Sequence, residues 1–98
     1  MLGNGISIRL TDRAEADVDL LIAQYNDSDI NIGDRFSLDF YNRLESLQGF
    51  WAYEMGRNGT RKIAMDNFPY LIYYVVDEAI GSLIIESVMH QNQLPRYN

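Results

Sequence analysis

The chain has 98 residues, of which 47% are apolar and 22% charged, enough for one hydrophobic core and unlike the composition of a disordered or two-domain chain. It has no cysteine and a single histidine, which leaves neither a disulfide framework nor a thiolate metal site, and no metal or other cofactor is expected. The net charge of -6 argues against indiscriminate nucleic-acid binding, which rests on neutralising phosphates.

The charge is unevenly spread. From Asp12 to Glu45 nine acidic residues stand against three arginines, so all of the net charge lies there and the remainder balances. The opening Met1-Leu2-Gly3-Asn4-Gly5 has neither a basic segment nor an apolar core, and no apolar run approaches the length of a bilayer span. A cytoplasmic protein without membrane contact is the simplest expectation, with residues 1–98 forming one domain.

Ile6, Ile8 and Leu10 alternate with Ser7 and Arg9, the period of a strand over 6–10 with one covered face. Thr11 or Asp12 can cap the helix that follows, since each offers an oxygen to the free amides of a first turn. Ala14, Val18, Leu21, Ile22 and Tyr25 then fall on one apolar stripe. Asn26-Asp27-Ser28-Asp29 reads as a polar break, and Asn31 with Asp34 as a second helix start. Phe36, Phe40, Leu44 and Leu47 recur along one face, flanked by Ile32 and Tyr41, until Gly49 ends the run. The product is a helical hairpin with Leu21 and Phe40 at the centres of its stripes, and with Asp17 and Asp39 expected on solvent.

Phe50 to Met55 is apolar and aromatic without clear period, and Gly56-Arg57-Asn58-Gly59 reads as a loop. Residues 60–66 form a weak strand in which Arg61 shares the face of Ile63 and Met65. Phe68 to Val76 and Ile80 to His90 are long runs of β-branched and aromatic residues, joined by the polar turn Asp77-Glu78-Ala79. This hairpin is the centre of the fold. The first of its strands is apolar on both faces, so it wants cover on both sides.

The order is β-α-α-β-β-β, an α+β protein whose antiparallel-rich sheet carries the helical hairpin on one face. One hairpin covers one face, and the other, with part of the set Tyr70, Tyr73 and Tyr74, is left as an apolar patch for another chain. Because the hairpin is acidic, that chain is expected to bring an apolar helix or an added strand carrying basic residues. Arg57, in the Gly56–Gly59 loop, joins the three tyrosines as a partner-binding candidate.

Few residues can carry chemistry. His90 can move a proton near neutral pH, and Arg57, Arg61 and Lys62 can hold a phosphate or its developing charge. Tyr97 adds a polar aromatic ring. The plain alternative for His90 is a strand-end residue hydrogen-bonded to backbone, and for the cations a solvated loop.

Three stretches resemble the RelE/ParE superfamily of bacterial toxins. They are strand one running into Leu10-Thr11-Asp12-Arg13-Ala14-Glu15-Ala16-Asp17-Val18, then Arg61-Lys62-Ile63 leading to Phe68-Pro69-Tyr70-Leu71-Ile72-Tyr73-Tyr74-Val75, and Val88-Met89-His90 followed by Pro95. The second is the most specific, and the likeness is nearer the ParE side. The resemblance implies the toxin of a type II toxin-antitoxin or plasmid stabilisation system, neutralised by a protein antitoxin, with DNA gyrase as its target. Its alternatives are a ribosome-dependent mRNA endoribonuclease, with His90, Arg61, Lys62 and Tyr97 as its catalytic candidates, or an inactive member that only binds a partner. A homodimer is a further expectation. Gln93 stands where the family's tail usually has an arginine.

Overall fold

A computed structural model of the chain describes residues 7–49, 54–55 and 59–93. Its elements are β1 (Ser7–Leu10), α1 (Asp12–Ser28), α2 (Ile30–Gly49), β2 (Glu54–Met55), β3 (Arg61–Ala64), β4 (Tyr70–Asp77) and β5 (Ser82–His90). They form one mixed sheet of five strands in the order β1-β5-β4-β3-β2. β1 lies parallel to β5, and the other pairs are antiparallel. The β-α-α-β-β-β reading therefore holds, with the short β2 added in a stretch whose sequence has no strand period.

Thr11 starts α1 as expected. Its hydroxyl accepts the N–H of Ala14 at 3.0 Å, taking up one of the amides that a helix start leaves free. The same residue reaches β5: its N–H donates to the Ile85 carbonyl and its hydroxyl to the Glu86 carbonyl. Those two carbonyls flank an irregularity in the β4–β5 ladder. Tyr74 pairs with Ile85 but Tyr73 with Ser87, so Glu86 is the extra residue of a β-bulge. The core records the slip, because Leu83, Ile85 and Val88 face inward, two and then three residues apart.

The helical break is shorter than Asn26–Asp29 suggests. α1 runs to Ser28 and only Asp29 separates the helices. Asp29 serves both: its N–H donates to the Tyr25 carbonyl, and its carboxylate accepts the N–H of Asn31 at 2.9 Å. So tight a junction folds α2 directly onto α1. Gly33 lies at the crossing, where a β-carbon would overlap the Asn26 side-chain amide.

The core is built from Ala14 and Val18 of α1, the stripe Phe36, Phe40, Leu44 and Leu47 of α2, and Ile63, Met65, Ile72, Tyr74, Leu83, Ile85 and Val88 of the sheet and its connections. Leu21 is only half-buried at its margin, whereas Phe40 is fully enclosed. Tyr41, expected beside the inner stripe, is 51% exposed.

Two further expectations need correction. Asp39 is buried and accepts both the backbone and side-chain N–H of Asn67, and the half-buried Asp17 accepts the N–H of Val88. Neither carboxylate simply faces solvent. The sheet face away from the helices is also less open than its apolar sequence suggests. Tyr73 and Met89 are buried there, and Leu71, Val75 and Ile84 are half-buried. Tyr73 sits between Lys62 of β3 and Ser87 of β5, in the middle of the sheet, where cross-strand neighbours crowd it. The large apolar side chains that are exposed among the described residues lie elsewhere: Leu20, Ile30, Leu38, Tyr41 and Ile80.

Candidate functional site

The residues that could carry chemistry are distributed over the sheet, not gathered. Arg61 opens β3 opposite Tyr74, while His90 closes β5 opposite Tyr70. Four residues along β4 and two strand spacings separate them, roughly 16 Å between α-carbons at standard sheet dimensions. Lys62 alternates to the opposite face from Arg61 and pairs with Tyr73. Arg57 and Tyr97 lie outside the described residues. Of the tyrosines read as partner contacts, Tyr73 is 4% exposed and Tyr74 not at all, so burial in the sheet and core withdraws both from the surface. Tyr70 remains half-buried at the sheet's end.

His90 is locked as a strand terminator. Its Nδ1 accepts the N–H of Asn92 at 3.1 Å, its own N–H donates to Gln93 Oε1 at 3.0 Å, and its carbonyl accepts the Gln93 N–H. With Nδ1 occupied, the neutral ring carries its proton on Nε2. Gln93 thus has a structural job at the end of β5.

The ring of His90 meets Tyr70 edge-on with centroids 5.4 Å apart, the first contact of an aromatic series that sequence periodicity did not disclose. Tyr70 continues to Phe36, and Phe36, Phe68 and Tyr25 touch one another at 5.2 to 5.5 Å. These rings come from both helices, the β3–β4 connection and both long strands. Burial pushes the Tyr70 hydroxyl up to about 12, helped by its hydrogen bond to Tyr25 and by that group's charge. At neutral pH the Tyr70 hydroxyl therefore keeps its proton and is not a base.

Beside this end, β5 runs past β1. The parallel pairing stops at Leu10 and Ile85, leaving Glu86 to His90 with an outer edge that no described strand covers. α1 covers it instead. Thr11 takes the Glu86 carbonyl, Asp17 the Val88 N–H, and Gln93 both backbone groups of His90. A cleft of about 210 Å³ lies along it, bordered by Arg13, Asp17, Leu20, Leu21, Tyr70, Val88, Met89 and Gln93.

A larger groove, about 550 Å³, runs on the other side of the helical hairpin between α2 and the β3–β4 connection. Ile32, Leu38 and Phe68 give it apolar walls; Arg35, Asp39, Asn42 and Asn67 give it polar ones. The bonds from Asn67 to Asp39 fix its floor. Among the described residues no group of three or more His, Cys, Asp or Glu side chains is placed to hold a metal ion, and no helix is long and apolar enough to cross a membrane. Among the described residues, neither cleft is lined by His90, Arg61 or Lys62.

No protein-family model and no curated protein matches the sequence. In three dimensions the chain is similar to a chain of the solved structure "Chromosomal ParDE TA system from P. aeruginosa", with a TM-score of 0.74 and 19% identity over 87% of this chain and 95% of that one. At that identity the likeness is one of fold: two helices on a mixed sheet, an α+β architecture.

Proposed function

We propose that this chain is the toxin of a type II toxin-antitoxin pair, kept inactive by a dedicated protein antitoxin, and that it arrests growth by binding DNA gyrase without cutting RNA. The observation that carries the reading is the fold shared over most of both chains with a member of a ParDE toxin-antitoxin system. The distance between Arg61 and His90 supports a stoichiometric poison over a nuclease. An endoribonuclease must activate a ribose hydroxyl, stabilise phosphorane charge and protonate a leaving oxygen within one contact shell, with catalytic groups at hydrogen-bond reach.

The test is expression of the chain in a bacterial host, alone and together with the small protein encoded beside it, while DNA-damage response and transcript ends are followed in parallel. Growth arrest with a DNA-damage response and intact transcripts, relieved by the second protein, is expected. Codon-positioned cuts on translating ribosomes would replace gyrase poisoning by the nuclease alternative. No arrest from the chain alone would leave only a partner-binding module.

A further inference from the structure

We propose that the outward face of α2 is a docking surface for a basic amphipathic helix supplied by a partner chain; this rests on the reading above that the chain works with a protein partner. Three of the large exposed apolar side chains lie on α2: Ile30, Leu38 and Tyr41, at 65, 63 and 51% exposure. With the exposed Asp34 and Glu45 they occupy positions 30, 34, 38, 41 and 45, steps of four, four, three and four that put all five on one row of the helix. The buried stripe Phe36, Phe40, Leu44 and Leu47 occupies another face. A helix apolar on two faces is fully accounted for only when both are packed.

The charges decide what packs there. Asp34 and Glu45 have no ion-pair partner among the described residues, and they alternate with the apolar side chains. The row spans 16 residues, about 22 Å of helix. Its complement is a partner helix of about four turns with an apolar stripe and Lys or Arg placed over Asp34 and Glu45. Leu38 also lines the groove that holds Arg35, Asn42 and Phe68, so the same helix can seat one larger apolar side chain beside it. Arg35 marks that flank as the wrong place for a partner's cation.

A second copy of this chain fits poorly, because it would set two faces bearing Asp34 and Glu45 against each other in molecules of net charge -6. Nucleic acid is repelled for the same reason. On the sheet face away from the helices, Tyr73 is buried.

Two measurements test the proposal. The isotope-labelled chain is titrated with a synthetic 18-residue helical peptide carrying one leucine row flanked by lysines, with a glutamate-for-lysine version, and with a scrambled peptide of the lysine composition. The lysine peptide should bind at least tenfold more tightly than either control, moving amide signals of residues 30–45, and Leu38→Asp with Glu45→Lys should remove that preference while thermal unfolding stays unchanged. Equal binding of the scrambled peptide, or shifts centred on the outer edge of β5, would overturn it. In the second measurement the same double variant is expressed with its antitoxin. Loss of neutralisation supports α2 as the docking face. Arrest that is neutralised as in the wild type sinks the docking proposal and leaves the toxin reading standing. Absence of arrest from the wild type, with the lysine peptide still bound at residues 30–45, sinks the toxin reading alone.

Discussion

The Asp17 carboxylate on α1 accepts the backbone N–H of Val88 on β5 at 3.0 Å, across 71 residues of sequence. β1 has ended by that point, so a helix side chain takes the place of a strand and closes a sheet edge that would otherwise offer free donors. Asp17→Ala should therefore cost about 1 to 2 kcal/mol, the scale of a charge-assisted hydrogen bond that is partly wet. Asp17→Asn keeps an acceptor and should lose less than half of that. Urea unfolding with amide exchange at Val88 checks both, and unchanged exchange in Asp17→Ala would show that the carboxylate does not protect the edge.

Asp39 has the same office on the other helix. It is 7% exposed and accepts two bonds from Asn67, fixing the middle of the β3–β4 connection. Truncation to alanine leaves the Asn67 donors to find water, and about 1.5 to 3 kcal/mol of stability should go with the pair. Asn67→Ala should cost less, because Asn67 is exposed, and the double variant little more than Asp39→Ala alone. Strict additivity in this cycle would mean that the two side chains are not coupled.

Phe40 is fully buried among α2, α1 and the sheet, whereas Leu21 lies half-exposed at the core's margin. Phe40→Ala should cost about 3 to 5 kcal/mol, close to the whole stability of a small domain, and Leu21→Ala clearly less. A denaturation series that ranked Leu21→Ala as the more damaging would contradict the observed helix rotation.

The contrast between Leu21 and Phe40 illustrates how much the residues disclose by themselves. Periodicity finds α2's inner stripe, the cap at Thr11 and the order of the elements, because each is written in neighbouring side chains. It does not find the bulge at Glu86, since Leu83-Ile84-Ile85 and Val88-Met89 are apolar on both sides and a slip of one leaves no trace. Asp17 and Asp39 read as ordinary helix-surface carboxylates because their partners, Val88 and Asn67, lie far along the chain. The aromatic series around Tyr70 and the separation of Arg61 from His90 likewise follow from strand register, not from composition. β2 pairs Glu54 and Met55 with Lys62 and Arg61 over two residues only, too short to leave a period.

Alkaline pH should weaken the fold through Tyr70. Its pKa is raised from 10.0 to about 12, chiefly by burial and then by Tyr25. Below pH 10 the hydroxyl is neutral in both folded and unfolded chains and its contribution is complete. Between 10 and 12 the unfolded chain loses its proton first, so the unfolded state binds fewer protons and stability falls as pH rises. Tyr73, also raised by burial, acts in the same direction. Chemical unfolding from pH 8 to 11.5 should show Tyr70→Phe declining less steeply than wild type. Parallel declines would remove Tyr70 from the account.

Binding and chemistry separate at His90. His90 spends its Nδ1 on the Asn92 N–H, and a glutamine there can still accept that bond while moving no proton. A general acid or base typically contributes about 100- to 10,000-fold, so His90→Gln would nearly abolish any cleavage that used it. A gyrase poison should keep its growth arrest within about threefold of wild type, well under that catalytic range. Arg61, half-buried at the start of β3 and engaged within the fold, sits at the other end of the sheet. Arg61→Ala should weaken arrest, and Arg61→Lys, which keeps the charge without the planar fork, should recover part of it. Thermal unfolding of all three variants distinguishes lost contacts from lost folding. Arrest that vanishes with His90→Gln in a stably folded chain, with ribosome-dependent transcript cuts vanishing alongside it, would assign His90 to catalysis and reject gyrase poisoning.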